Sequence, residues 1–239
     1  MNTLFRAYRF NQLTPVRLLR VAVKRIAVML LFCSSLLIAL QARPVVAEGS
    51  ATNAAPYRFH DIGAVDVPTI GFRRKVQEAG VAVGLAIAPS NGRDPSTHYL
   101  ELTKIYYGWM LGDTVGKSHW WRGNWELLEE IFAGEQSYPK SRYEVGETTV
   151  LRYNFVTSTR WMPFIDGGFG AMGTDIGHPD LGSTFEFNEY AGAGLNFFWR
   201  ADSALTLQYR FTHISDGGIA APNGGLNQHI LYVGLSWFF

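Results

Sequence analysis

A histidine and a serine two residues apart, His213 and Ser215, are the pair in this chain best suited to nucleophilic chemistry. A serine hydroxyl is a weak nucleophile until a base within hydrogen-bond reach takes its proton. Positions i and i+2 of a strand point to the same face roughly 6–7 Å apart along the backbone, a gap that an imidazole spans. The residues that follow, 216–225, read Asp-Gly-Gly-Ile-Ala-Ala-Pro-Asn-Gly-Gly. A loop this rich in glycine can turn backbone N–H groups toward an oxyanion. Asp216, Gly217, Gly218 and Asn223 are its candidate supports.

The pair sits at the end of a strand-like alternation. Leu205, Leu207, Tyr209 and Phe211 precede His213 and Ser215 on one parity, with Thr206, Gln208, Arg210 and Thr212 on the other. Leu231, Val233, Leu235, Trp237 and Phe239 repeat the pattern at the C-terminus. Apolar side chains outward and polar side chains inward, with period two, is how a transmembrane β-barrel reads. Eight strand candidates follow: 81–89, 97–111, 119–133, 145–156, 161–172, 184–199, 203–215 and 227–239. The fold class expected is therefore an all-β, eight-stranded antiparallel outer-membrane barrel over 81–239. Odd residues should face outward in strands four to eight, with Asn154, Asp166, Asn188 and Asn196 in a polar interior. The faces of the second strand are ambiguous, and Glu129 interrupts the third. Trp109, Trp120, Trp121, Trp161, Trp199 and Trp237 lie near strand ends, where aromatic girdles form. The rival architecture is a soluble lipid-binding barrel with an apolar lumen; the apolar, aromatic-ending last strand argues against it.

The N-terminus reads as an export signal. Arg6, Arg9, Arg17, Arg20, Lys24 and Arg25 precede a mostly apolar run over 26–40, and Val45-Val46-Ala47 offers a small-residue cleavage site. The run is short for a spanning helix, the form an uncleaved anchor would need. Residues 1–47 are read as a signal peptide and 48–80 as a periplasmic extension. Cleavage after Ala47 removes seven basic residues and the single Cys33, leaving fourteen basic and twenty acidic residues, a formal charge of −6. An acidic mature chain argues against nucleic-acid binding. Connections after strands one, three, five and seven read as long, those after four and six as short, and the one after two as intermediate. Barrels keep short turns in the periplasm and long loops outside. His213 and Ser215 are thus expected at the outer leaflet of a Gram-negative cell, where the lipid is lipopolysaccharide.

The stretch His213-Ile214-Ser215-Asp216-Gly217-Gly218, followed by Pro222-Asn223 and the last strand, resembles the outer-membrane lipid A 3-O-deacylases, also called acyloxyacyl hydrolases. Members typically read His-x-Ser-Asn-Ala-Gly, then Pro-Asn. The resemblance implies an exterior Ser-His-Glu triad that hydrolyses the ester-linked 3-hydroxyacyl chain at position 3 of lipid A, with Ser215 as nucleophile and His213 as base. It implies lipid A, or lipopolysaccharide, as substrate. No cofactor is expected, and pairing with a second copy is left open. Two positions depart from the pattern: Asp216 replaces the Asn after the serine, and Asn227 stands where the acid is expected. An Asn carbonyl can hold the imidazole tautomer, as in Cys-His-Asn proteases, but brings no negative charge. Asp216 and Glu189 are the other candidates to orient the histidine. The alternative function is a catalytically silent lipid-binding barrel. His229 reads as structural or interfacial. His60, His98, His119 and His178 lack metal-ligand spacing, so no metal is expected. Glu126, Glu129 and Glu130 read as a solvated or lumen-facing charge set.

Overall fold

The computed structural model describes residues 72–91, 94–116, 118–221 and 223–239. The expected signal peptide, and the extension up to residue 71, lie outside the described residues. Eight strands, β1 (Gln77–Ala88), β2 (His98–Met110), β3 (Gly123–Tyr138), β4 (Arg142–Phe155), β5 (Trp161–Thr174), β6 (Phe185–Arg200), β7 (Ser203–Ser215) and β8 (Leu226–Phe238), pair antiparallel in chain order. β8 closes on β1, so the barrel has no free edge.

Parity sorts the side chains as read. Ile165, Phe169, Leu205, Leu207, Tyr209, Phe211, Leu231 and Val233 are exposed on the outer wall, while Thr206, Gln208, Arg210 and Gln228 are buried inside. β2 follows the same rule, with Tyr99, Ile105 and Trp109 outward. Exposed Trp109, Trp120, Trp121, Trp125 and Trp161 gather at the end that carries both termini of the barrel. Phe169, Phe185, Tyr138 and Tyr143 surround the opposite end. These are two aromatic belts, as an interface-anchored barrel requires.

Most strand ends lie within two residues of the expected ones; the larger differences are in β1, β3 and β4. β1 begins at Gln77 rather than Val81, and β3 starts at Gly123 and runs on to Tyr138. The β3–β4 connection is therefore only 139–141, not a long loop, because Glu135 pairs with Tyr143 and Gln136 with Arg142 beyond the apolar part of the strands. The connection after β2 is the longest, 111–122. It packs on the start of the barrel: Thr114 Oγ1 donates to the Phe72 carbonyl at 3.0 Å and Arg74 N–H donates to Asp113 Oδ1 at 3.1 Å.

The lumen is layered rather than uniformly polar. Phe72, Val76, Met110, Met162, Phe198 and Phe238 form an apolar plug at the terminal end. Leu100, Leu102, Ile176, Leu181, Ile214, Leu226 and Ile230 belong to a second apolar cluster. A charged layer also fills the lumen. Arg152, 1% exposed, faces Glu78 at 3.4 Å, Asp166 at 3.3 Å and Glu126 at 3.8 Å. Glu130 accepts from Lys104 at 2.9 Å and Arg210 at 2.6 Å. The glutamates of β3 thus divide: Glu126 and Glu130 point inward to cations, whereas Glu129 lies outside and accepts from the Thr149 hydroxyl. Buried charges need such pairing, since an uncompensated one in low dielectric is strongly disfavoured.

Candidate active site

β7 carries His213 and Ser215 outward at its last turn of alternation, half-buried among their neighbours. Antiparallel register sets what stands beside them. His213 pairs with Asn227 on β8 and with Glu189 on β6, and Ser215 pairs with Phe187 on β6. All of these positions are odd and share the outer face.

The imidazole is oriented by Asn227. His213 Nδ1 lies 2.7 Å from Asn227 Oδ1. A carboxamide oxygen only accepts, so Nδ1 carries the proton, and in the neutral ring the lone pair is then on Nε2. That is the tautomer a general base needs. The far edge of the ring rests over Gly225, where φ is +70°. A Cβ built at Gly225 would stand 2.6 Å from His213 Cε1 and 3.2 Å from Nε2. The absence of a side chain there is part of what seats the ring. Gly225 was not singled out in the sequence; only its place at the foot of β8 in a Gly-Gly pair could have marked it.

Two of the sequence candidates do other work. Asp216 is fully buried and points away from the histidine. Its Oδ1 accepts the Gly218 N–H at 2.8 Å and its Oδ2 accepts the Ala220 N–H at 2.9 Å. It therefore fixes the loop in place of orienting His213. The Gly218 amide, spent on Asp216, is not aimed at an oxyanion. Gly217 lies beside the Phe187 ring and has no such engagement among the described residues. Asn223 Oδ1 is enclosed and without a hydrogen-bond partner among the described residues. Glu189 flanks His213 across the strand pair but makes no hydrogen bond to its ring among the described residues. His229 faces the Tyr209 hydroxyl through Nδ1 at 2.7 Å and packs on Phe211, in keeping with a structural role.

The surroundings suit a chain of methylenes rather than a soluble substrate. Phe169 and Phe187 stack at 5.6 Å, Phe185 meets Phe187 at 5.2 Å, and Phe211 pairs with Ala191. A base and a hydroxyl on the outside of a barrel, beside an aromatic strip, can act on an ester only where that ester is presented laterally.

The sequence profile of a family described as lipid A 3-O-deacylase (PagL) matches residues 104–236. The lipid A deacylase PagL of Pseudomonas aeruginosa is 34% identical over 123 residues, which is 47% of this chain and 68% of that protein. Among solved structures, that of the outer membrane enzyme PagL is 21% identical, covers 66% of this chain and 97% of its own, and superposes with a TM-score of 0.48. Neisserial surface protein A is 15% identical, covers 68% of this chain and 97% of its own, and reaches a TM-score of 0.51. Neither structural likeness bears on more than the fold.

Proposed function

The chain belongs to the lipid A 3-O-deacylase (PagL) family, and from that premise we propose that it is an outer-membrane ester hydrolase in which Ser215 attacks the ester at position 3 of lipid A. His213 Nε2 takes the serine proton as the bond forms and returns it to the leaving sugar oxygen. Water then hydrolyses the acyl-serine with the same base. The observation that carries this reading is the 2.7 Å contact between His213 Nδ1 and Asn227 Oδ1 on the outward face, two residues from Ser215. The barrel's termini lie at the periplasmic end, which puts the head of β7 at the outer leaflet. Residues up to 47 are read as the removed signal and those from 48 to the barrel as its periplasmic extension. The direct test is the mass of lipid A from cells with and without the protein. Loss of one 3-hydroxyacyl chain is the expected result, and an unchanged spectrum would favour a silent barrel.

The carboxamide at 227 has a cost. An imidazolium develops as His213 takes the proton, and a carboxylate would stabilise it where Asn227 cannot. At the lipid edge that attraction is less screened than in water. Asn227→Glu is expected to raise turnover about tenfold, a barrier lower by about 1.4 kcal/mol, in a purified assay of hydroxy-fatty-acid release. Equal rates would mean that Glu189 already supplies the charge. A slower, folded Asn227→Glu variant would count against the His213–Asn227 geometry.

A further inference from the structure

The loop end of the barrel holds a second cluster, which the sequence reading passed over when it set His98 aside. His98, at the first position of β2, is 4% exposed, and Asp94 and Asp180 are 8% and 1% exposed. Asp94 lies four residues before His98, whereas Asp180 arrives from the β5–β6 connection, so no spacing in the sequence announces the three together. Their facing atoms converge. His98 Nε2 stands 3.4 Å from Asp94 Oδ2 and 3.3 Å from Asp180 Oδ2. One nitrogen and two carboxylate oxygens all lie within 4.8 Å of one another.

Each of the three spends its other polar atom on something else. His98 Nδ1 lies 2.6 Å from Gln136 Oε1, and the Gln136 amide nitrogen donates to the Lys140 carbonyl at 3.0 Å. The glutamine oxygen is thereby the acceptor, so Nδ1 bears the proton and the neutral ring presents its Nε2 lone pair to the two carboxylates. Asp94 Oδ1 accepts the Ser96 N–H at 2.6 Å. Asp180 Oδ1 accepts from Asn91 Nδ2 at 2.9 Å, and Asn91 Oδ1 accepts the Asp94 N–H at 2.8 Å. What remains is a buried focus of three acceptors. His98 Nε2 and Asp180 Oδ2 are enclosed with no hydrogen-bond partner, and no lysine or arginine pairs with either aspartate among the described residues. Three lone pairs aimed at one point repel unless a positive charge sits between them.

We propose that Asp94, His98 and Asp180 bind one zinc ion. Ligand atoms about 2.0–2.2 Å from a tetrahedral zinc stand about 3.3–3.6 Å apart, and both distances from His98 Nε2 match that edge. The hydrogen bond from Nδ1 to Gln136 is the outer support that metal-bound histidines have, and Asn91 and Ser96 support the two carboxylates in the same way. An imidazole among the ligands selects against calcium and magnesium, which prefer all-oxygen shells. Water fills the fourth position. The ion joins the β1–β2 and β5–β6 connections. The Asp180 carbonyl also accepts the Gly224 N–H at 3.0 Å, next to the glycine that seats His213. Zinc therefore braces the scaffold of the hydrolytic site without touching its reacting groups.

The test uses the tag-free barrel, folded in detergent and stripped with a chelator, titrated with zinc alone by calorimetry. One zinc per chain with a Kd at or below the micromolar range is expected, together with a rise in Tm that the chelator reverses. His98→Gln and Asp180→Asn should each weaken binding at least tenfold, in variants whose folding is checked by heat-modifiable gel mobility. Should both fail to fold, cobalt added to the native chain gives the answer by its visible spectrum, which must show a tetrahedral nitrogen–oxygen environment. No saturable zinc, unchanged affinity in a folded variant, or no cobalt absorption would overturn the proposal and leave a protonated His98 as the charge between the aspartates.

Discussion

Ser215→Ala is expected to abolish release of the 3-hydroxyacyl chain while leaving a folded, membrane-inserted barrel. The side chain loses one oxygen that makes no hydrogen bond among the described residues, and Ser215 sits at the last position of β7, so neither packing nor register depends on it. Among the described residues paired with His213 and Ser215, Asn227 is held to the imidazole, Phe187 carries no oxygen, and the Glu189 carboxylate is a far weaker nucleophile toward an ester than an activated serine. When nucleophile and base act as a unit, removal of either costs a factor on the order of 10⁴–10⁶ in turnover. Mass spectrometry of lipid A after incubation with the purified variant reads the loss, and gel mobility before and after heating reads the fold. Turnover within a factor of about ten of wild type would remove Ser215 from the mechanism.

Arg152→Met is expected to have the largest effect on stability. The guanidinium is the central cation for Glu78, Glu126 and Asp166, all at most 7% exposed, and it also stacks over Phe164 at 4.1 Å. Methionine keeps much of the bulk but leaves three carboxylates crowded in a closed lumen, where among the described residues Asn154 still donates to Glu126 and Gln208 to Asp166. Breaking a buried pair from one side costs about 3–5 kcal/mol, because the partner stays charged and unsolvated. Urea unfolding in lipid vesicles should show the midpoint fall accordingly. Adding Glu78→Gln, Glu126→Gln and Asp166→Asn to Arg152→Met should restore most of the loss, since removal of a whole buried network is far cheaper than removal of one side of it. A single variant as stable as wild type would mean that water reaches the lumen and screens these groups.

The parts of this molecule legible in its sequence are those where one face meets lipid. Odd-numbered Leu205 to Phe211 and Leu231 to Leu235 had to alternate with polar partners, because a one-residue slip would invert both faces. Alternation fades where that demand ends. Gly134 to Gln136 and Arg142 to Glu144 pair above the apolar band through backbone hydrogen bonds, and nothing in their side chains announces a strand. In β2 the apolar layer at the loop end puts Leu100 and Leu102 inside and Glu101 and Thr103 outside, which reverses the usual contrast and made the strand ambiguous. The His-x-Ser pair was legible because it lies within one strand. Its surroundings were not: Asn227 as the residue bonded to the histidine, Gly225 under the ring and Asp216 turned into the loop each depend on how β8 returns. His98 and Asp94 meet Asp180 only because the β1–β2 and β5–β6 connections come together at the barrel mouth, a fact of closure rather than of spacing.

The sealed lumen has a kinetic consequence. With an aromatic plug at one end and ion pairs between packed layers, nothing can be delivered to His213 and Ser215 through the barrel. On the proposed mechanism substrate arrives sideways, by diffusion in a two-dimensional fluid, and the concentration that governs the rate is its mole fraction in that fluid. Diluting the lipid surface with an inert amphiphile at constant total substrate should therefore slow the enzyme, as no change of bulk volume would. For such a catalyst saturation is a property of the leaflet's composition, and the same protein runs fast or slow according to what its neighbours in the membrane are.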